Sequence, residues 1–139
     1  MSIPHALLDC LNANKVPYEI LPHAKAFTAR MAAAAEHIPS HNQAKVVMVS
    51  SPKGAAMTVL PADRKLDLRK LRRIIRLPVS LQSQEEFAPV FPDSELGAMP
   101  PFGNLYGLPT YVDQHLAEED NIVFEAGTYT EAIKLSYRD

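Results

Sequence analysis

Lys45 is the first residue whose type and place could support chemistry. It opens the segment Lys45-Val46-Val47-Met48-Val49, which is otherwise apolar on both faces and is typical of a strand covered on both sides. Period-two alternation places its side chain on the face of Val47 and Val49. A lysine in this place either extends its stem to water or directs its ammonium into a cleft, and the residues alone favour the extension to water.

A second candidate is the segment 97–109, GAMPPFGNLYGLP, which holds three of the five glycines and three of the twelve prolines. This density predicts an irregular loop, since neither a helix nor a central strand tolerates it. Glycine at position 97 allows consecutive backbone N–H groups to converge on one point, and Pro100 and Pro101 stiffen the chain that follows. Such a loop can bind a carboxylate or a developing oxyanion, where one donor contributes about 3 kcal/mol to a transition state. An ordinary tight connection is an equally good interpretation of the residues alone.

A third candidate is the basic segment 64–76, RKLDLRKLRRIIR, which carries seven of the fourteen lysines and arginines against the single acid Asp67. Its pattern predicts a helix over residues 67–76, with an apolar stripe of Leu68, Leu71 and Ile75. A second stripe consists of Arg69, Arg72, Arg73 and Arg76. Such a stripe is most often a solvated helix face, and the alternative is contact with a phosphate backbone.

The remaining candidates give no reason to expect a metal or a cofactor. His37 and His41 lie near Glu36, but Pro39 breaks the helix that would align them, and this argues against a metal site. The single cysteine, Cys10, cannot form an internal disulfide and is expected to be a buried hydrophobic residue. The sequence contains no Gly-x-Ser-x-Gly elbow, no phosphate-binding loop and no dinucleotide fingerprint.

The helices and strands that carry these residues are expected to form a single α+β domain over residues 1–139. Its centre is predicted to be a mixed, largely antiparallel sheet with flanking helices. Helices are predicted over residues 3–14, 28–38 and 67–76, and the capping box Ser83-Gln84-Glu85-Glu86 predicts a further short one. Strands are predicted over residues 18–21, 44–49, 55–60, 108–112 and 122–124, with a hairpin turn at 51–54. Ala126-Gly127 is expected to turn the chain before a last element, 130–136, whose type the pattern leaves open.

Composition and charge exclude several classes of protein. Hydrophobic residues make up 47% of the chain and charged residues 22%, which argues against disorder. No apolar run approaches the ~20 residues of a membrane helix. The first five residues lack the basic start of a secretory signal. Together with the single cysteine, these features lead us to expect a cytoplasmic protein with no membrane contact.

A set of short motifs occurs in a fixed order from about residue 5 to residue 136. In chain order the motifs are Tyr18-Glu19, His23, Thr28-Ala29, Ala44-Lys45-Val46-Val47, Leu60-Pro61-Ala62-Asp63-Arg64, Gly97-Ala98-Met99-Pro100-Pro101-Phe102-Gly103, Val112-Asp113 and Ala126-Gly127. In this order they closely resemble the YbaK/EbsC family, the editing domain associated with prolyl-tRNA synthetase. The resemblance implies a compact domain with a partly barrel-like mixed sheet.

The resemblance also implies an activity and a site. Free-standing members of the family hydrolyse the ester of mischarged aminoacyl-tRNA, and the invariant lysine of the family corresponds to Lys45. The Gly-x-x-x-Pro loop of the family corresponds to residues 97–101, whereas Pro100 stands where relatives often have a small polar residue. Many members also extend into a further helix beyond the point where this chain stops. Positions expected to border the aminoacyl pocket are Thr28, Val47, Met99, Pro100, Pro101, Ala126 and Gly127.

The mechanism expected from the resemblance has three parts. The backbone N–H groups of Gly97, Ala98 and Met99 would hold the ester carbonyl oxygen, Lys45 would fix the charged or carbonyl groups of the substrate, and a water would attack. The terminal ribose hydroxyl of the tRNA is expected to assist, because no histidine or carboxylate in the motifs is an obvious base. The expected substrate is a mischarged tRNA, with tRNA-Pro carrying a small amino acid as the first choice. Its acceptor stem would dock on the arginine stripe, with prolyl-tRNA synthetase as a potential partner.

Two other functions stay open at this point. The domain could be a non-catalytic module that binds an amino acid or an aminoacyl end for a synthetase. It could also be a small-molecule esterase without tRNA specificity. Lys45 and the intact 97–101 loop favour the deacylase.

Overall fold

The computed structural model of the protein describes residues 3–23, 41–95 and 98–136. The predicted helix over 28–38, Thr28 and Gly97 lie outside these residues. Within them, no helix is long and apolar enough to cross a membrane.

In the described part of the chain, seven strands form one sheet, which is mixed and largely antiparallel and flanked by helices as the sequence predicts, although only five of the strands were predicted. The strand order is β1-β7-β6-β2-β3-β5, with β4 paired to β2, and the sheet is open rather than closed into a barrel within the described part of the chain. Only the pairs β2–β6 and β3–β5 are parallel among the pairs described. The strands are β1 (Tyr18–Pro22), β2 (Gln43–Ser51), β3 (Gly54–Pro61), β4 (Ser80–Leu81), β5 (Thr110–Val112), β6 (Asn121–Thr128) and β7 (Glu131–Ser136).

The β2–β3 hairpin confirms the clearest sequence prediction. Its register runs from Ala44 opposite Pro61 to Ser51 opposite Gly54, which leaves Pro52 and Lys53 as a two-residue turn. Gly54 has a φ of 113°, a conformation that favours glycine. The hairpin is therefore long and regular, and it holds Lys45 near the end opposite the turn.

The two faces of this hairpin carry separate cores. One face packs under helix α1 (His5–Ala13) through the buried Leu7 and Leu11, together with Met48 and Val59. The other face packs under helix α2 (Leu68–Ile75), whose Leu71 contacts the smaller cluster with Val49 and Ala56. Because successive apolar side chains of β2 point to opposite faces of the sheet, both faces of the hairpin are apolar and each packs under a helix.

The starts of two predicted helices are confirmed, and each has a side-chain cap. The Asp67 carboxylate accepts from Lys70 N at 3.0 Å at the start of α2, which ends in the left-handed Arg76. Ser83 and Glu86 form the predicted capping box of helix α3 (Gln84–Phe87). A further short helix, α4 (Gln114–Ala117), begins at Asp113, whose carboxylate accepts from His115 N at 2.8 Å.

Several local predictions are wrong in detail. Ala126-Gly127 does not turn the chain, because β6 continues to Thr128 and the reversal lies at Tyr129-Thr130. The segment 97–109 is not irregular throughout, since Gly103–Tyr106 forms a 3-10 helix. Cys10 is only partly buried. The element of open type, 130–136, is strand β7 (Glu131–Ser136).

Candidate active site

The site forms where the parallel strands β2 and β6 diverge. They pair at only two positions, Gln43 with Val123 and Ala44 with Phe124. Further along, β2 pairs with β4 at Val49 and Ser50. Among the described strands, none pairs with this edge of β2 between Ala44 and Val49, and a loop approaches β6 at Gly127.

The loop that approaches β6 is the glycine–proline loop, defined here as residues 95–101. Gly127 N donates to Ala98 O at 2.7 Å, and Glu95 N donates to Gly127 O at 2.8 Å. The Glu95 carboxylate also accepts from Tyr129 N at 2.6 Å. Gly127 has a φ of 85° and lies in the stretch where β6 and β7 lose register. This irregularity frees the Gly127 backbone from β7 and ties the loop to the sheet.

Lys45 is the residue of β2 directly after the last pair with β6, and Glu125 is the corresponding residue of β6. Paired strands place side chains of equivalent positions on the same face. The Lys45 side chain is half-buried and shares its face with Gln43 and Val47. The structure therefore places Lys45 on the strand beside Glu125, two residues before Gly127, where the glycine–proline loop is bonded to β6.

Glu125 belongs to a buried polar group that sequence reasoning missed. Its carboxylate Oε2 lies 3.0 Å from His23 Nε2, and the exposed fractions of the two side chains are 5% and 0%. Gln43 Nε2 donates to Glu125 Oε1 at 3.4 Å, and Gln43 is 0% exposed. A buried carboxylate needs such donors, because losing its hydration without replacement is costly. A signal for Gln43 and Glu125 was present, since both are polar residues inside apolar runs and Gln43 lies two positions before Lys45.

The residues expected to line the pocket do not all lie on one side of the sheet. Val47 lies on the face of Lys45 and is half-buried, and its carbonyl accepts from Thr58 Oγ1 at 2.6 Å. Met99 and Ala126 are instead buried in the larger core beneath α1. For these two residues, a side-chain contact with the aminoacyl group would require access through that core.

The loop amides are also not equivalent. Ala98 N donates to Glu95 O at 3.0 Å, so this donor is engaged inside the loop. Pro100 is buried and Pro101 half-buried, and the Pro100 carbonyl accepts from Phe102 N at 2.8 Å. Gly97 lies outside the described residues. The roles expected for Gly97 and Met99 as backbone donors stay predictions.

The four arginines of α2 do not form one uniform stripe. Arg72 Nε donates to Val79 O at 3.1 Å, which fastens the chain after the helix. Arg72 and Arg76 line a groove of about 750 Å³ beside the hairpin turn, together with serine hydroxyls of β2 and β4. Arg69 and Arg73 are exposed on the helix and do not line that groove.

A second groove, of about 630 Å³, lies on the sheet face that carries Lys45. Its floor includes Thr58 and Leu60, and Leu60 is the β3 partner of Lys45. Asp113 lies at the rim of this groove, where burial by itself raises the pKa of its carboxyl group. Hydrogen bonds from the backbone and side chain of His115, with the charges of His115 and Arg64, nonetheless lower the Asp113 pKa. Basic residues on the same rim are Arg64, Lys65 and Lys70.

The candidate metal ligands are not gathered in the described residues. His41 is exposed, and its Nε2 lies 3.9 Å from Glu119 Oε1, whereas Glu36 and His37 lie outside the described residues. Across residues 3–23, 41–95 and 98–136, no group of three or more potential ligands meets at one point.

Comparison with known families gives one match over most of the chain. The family model described as aminoacyl-tRNA editing domain matches residues 23–139, a range that includes Lys45, the glycine–proline loop and Glu125. Among curated proteins, no sequence matches this chain.

Solved structures share the fold at low sequence identity. The crystal structure of a hypothetical protein superposes with a TM-score of 0.84 at 20% identity, covering 96% of this chain and 90% of that one. A protein suggested to be a trans-editing enzyme for prolyl-tRNA synthetase superposes with a TM-score of 0.78 at 22% identity, covering 99% and 90%. A suggested signal transduction protein from Marinobacter aquaeolei VT8 contains the fold in 27% of its own length, with a TM-score of 0.76 at 18% identity and 97% of this chain covered.

Proposed function

Because the chain belongs to the aminoacyl-tRNA editing domain family, we propose that it is a deacylase that hydrolyses the ester bond of mischarged aminoacyl-tRNA. The observation that carries this proposal is the position of Lys45. The half-buried lysine lies where β2 and β6 diverge, and the glycine–proline loop is bonded to β6 just beyond that point. A positive charge on the strand beside the one that holds this loop is suited to bind a carbonyl group that becomes an oxyanion.

Each group has a defined role in the proposed reaction. The Lys45 ammonium binds the ester carbonyl oxygen and stabilises the negative charge that forms on it. A water adds to the carbonyl carbon, and the bond to the terminal ribose oxygen then breaks. The products are the free amino acid and a ribose hydroxyl, which takes up the proton released by the water. A neighbouring ribose hydroxyl of the tRNA assists this proton transfer.

We further propose that the substrate is tRNA-Pro carrying a small amino acid. A synthetase gains only about 1–3 kcal/mol of discrimination from one methylene, so small amino acids that enter its site need a second, hydrolytic site. The resemblance of the motifs to the editing domain associated with prolyl-tRNA synthetase supports this choice. It also supports that synthetase as a partner and the cytoplasm as the location.

A panel of mischarged tRNAs tests the proposal. tRNA-Pro charged with alanine, serine, threonine, cysteine or proline is incubated with the purified chain, and the loss of ester-linked amino acid is followed. We expect at least one small amino acid to be released at least about tenfold faster than proline. If no ester is lost faster than in buffer, the deacylase proposal is wrong.

One observation favours a second candidate, a non-catalytic module that binds an aminoacyl end. The Ala98 amide is engaged with Glu95, which leaves fewer main-chain donors for a developing oxyanion. The same panel decides between the two functions. Saturable binding of mischarged tRNA without ester loss would identify the module.

The exposed arginines of α2 provide a prediction about tRNA binding. Charge reversal in Arg69→Glu/Arg73→Glu is expected to raise KM for tRNA about tenfold, with little change in kcat, because phosphate contacts supply affinity rather than chemistry. The slope of log KM against log salt should fall by about 1–2, the number of phosphate contacts removed. Arg72 is left intact because it fastens Val79.

Lys53→Glu is the matched control for these two arginines, since Lys53 is also exposed and basic but lies at the hairpin turn. We expect its KM and salt slope to equal those of the wild type. Unchanged KM in the arginine double variant would show that α2 does not contact the tRNA.

A further inference from the structure

A buried group of hydrogen-bond acceptors lies beside Lys45. Gln43 donates its amide N–H to Glu125, but the amide oxygen of Gln43, a residue that is 0% exposed, has no hydrogen-bond partner among the described residues. The two polar atoms of an amide are bonded to the same carbon, so this orphan oxygen lies within a few ångströms of the Glu125 carboxylate. Two acceptors of different residues therefore lie near one another.

The chemistry of these acceptors favours a cationic donor. An ionised carboxylate offers about four acceptor sites and no donor, and an amide oxygen offers two acceptor sites. His23 Nε2 and the Gln43 amide nitrogen are two of the partners of this carboxylate. A buried acceptor without a partner destabilises the protein, and a ligand that donates to it removes that penalty. A primary ammonium group has three donors and a positive charge, and it matches both acceptors at once.

The place of the acceptors relative to Lys45 suggests which ammonium group binds there. Glu125 follows the last residue paired with β2, as Lys45 follows the last residue paired with β6, and Gln43 shares the face of Lys45. Neighbouring strands are about 4.8 Å apart. In an aminoacyl ester, the α-ammonium nitrogen and the carbonyl oxygen are only three bonds apart. A carboxylate and a lysine on adjacent strands can therefore address the two groups together.

We infer that Glu125 and the Gln43 amide oxygen bind the α-ammonium group of the aminoacyl substrate. This inference rests on the proposed function for the identity of the ligand, and it adds a specificity to it. His23 is a positioning residue, because its Nε2 holds the second carboxylate oxygen of Glu125 at 3.0 Å. The site accepts esters of free amino acids and discriminates against esters whose amino group is replaced by a hydroxyl.

The test uses binding rather than turnover. Two acceptor-stem minihelices end in 3′-amino-3′-deoxyadenosine, and one carries alanine and the other lactate through a stable amide bond. We expect the wild-type chain to bind the alanyl minihelix about 10- to 100-fold more tightly than the lactyl minihelix in calorimetry. In Glu125→Gln, the preference should fall to within about threefold, with the affinity for the lactyl minihelix unchanged.

Glu119→Gln is the matched control. Glu119 is a half-buried carboxylate that likewise has an amide donor, since Asn42 Nδ2 donates to it at 3.0 Å, and it lies outside the acceptor group. This variant should keep the full wild-type preference. The wild-type comparison needs no variant to fold, and equal affinities for the two minihelices would overturn the inference, as would an undiminished preference in Glu125→Gln.

The two proposals fail separately. Because neither minihelix can be hydrolysed, an ammonium preference would stand even if the panel of charged tRNAs showed no deacylation. Conversely, rapid deacylation with equal affinity for the two minihelices would leave the deacylase in place and remove the ammonium site.

Discussion

Lys45→Ala is expected to lower kcat for ester hydrolysis by about 100- to 1,000-fold. This is the range observed when one preorganised donor to a developing oxyanion is removed. Lys45 is half-buried at the divergence of β2 and β6, where the surrounding protein screens charge less than water would. KM should change by a smaller factor, because the interaction is stronger with the transition state than with the ester.

The measurement is single-turnover deacylation of the best substrate from the panel, together with thermal unfolding of each variant. Lys53→Ala is the control, since Lys53 belongs to the same hairpin but is exposed at its turn. Lys45→Arg should recover only part of the rate, because a planar guanidinium does not reproduce a compact ammonium. If Lys45→Ala unfolds like the wild type and keeps its rate, Lys45 has no part in the reaction.

The elements that the sequence predicts well are those set by local chemistry. The hairpin follows from two apolar runs around Pro52-Lys53-Gly54, and the left-handed Gly54 closes its turn. Helix α2 begins where Asp67 can cap it, and its apolar stripe turns Leu71 towards the sheet. In both cases the information lies within about ten neighbouring residues, and a single sequence is enough to use it.

The buried group around Glu125 could not be predicted in the same way. Gln43 and Glu125 are 82 positions apart in the chain, and they meet only through the parallel pairing of β2 with β6. Two apolar strands carry no signal for their mutual register, because each reads as buried on both faces. The sequence could identify Lys45 as unusual, but it could not identify the carboxylate on the neighbouring strand.

Helical periodicity likewise predicted where the arginines of α2 lie on the helix, but it did not predict which groups they contact. The spacing places all four on the polar part of the helix. Arg72 nonetheless donates to the carbonyl of Val79, because the chain reverses after Arg76 and brings Val79 beside the helix. That reversal depends on a left-handed conformation at Arg76, with a φ of 63°, at a residue type that seldom adopts it. A pattern of residue types has no information about such a position.

Gly127 shows how a correct residue can be given the wrong role, and it provides the second large effect. Gly127→Ala is expected to lower the free energy of unfolding by about 2–4 kcal/mol, through backbone strain and a steric overlap. The φ of 85° is unfavourable for alanine. A Cβ atom would also lie 2.7 Å from Pro4 Cδ and 3.0 Å from Ser94 Oγ, so the start of α1 or the Ser94 side chain must shift.

Gly107→Ala separates the two causes, because Gly107 has a φ of 67° but no heavy atom within 4 Å of the added Cβ. It should cost only the left-handed strain, about 1–2 kcal/mol. Chemical denaturation of both variants gives the difference. Pro4→Ala should restore part of the stability of Gly127→Ala, because it removes the Cγ and Cδ atoms that the new methyl group contacts. Equal losses in Gly127→Ala and Gly107→Ala, with no recovery from Pro4→Ala, would mean that Pro4 and Ser94 are not packed against Gly127 as the structure has them.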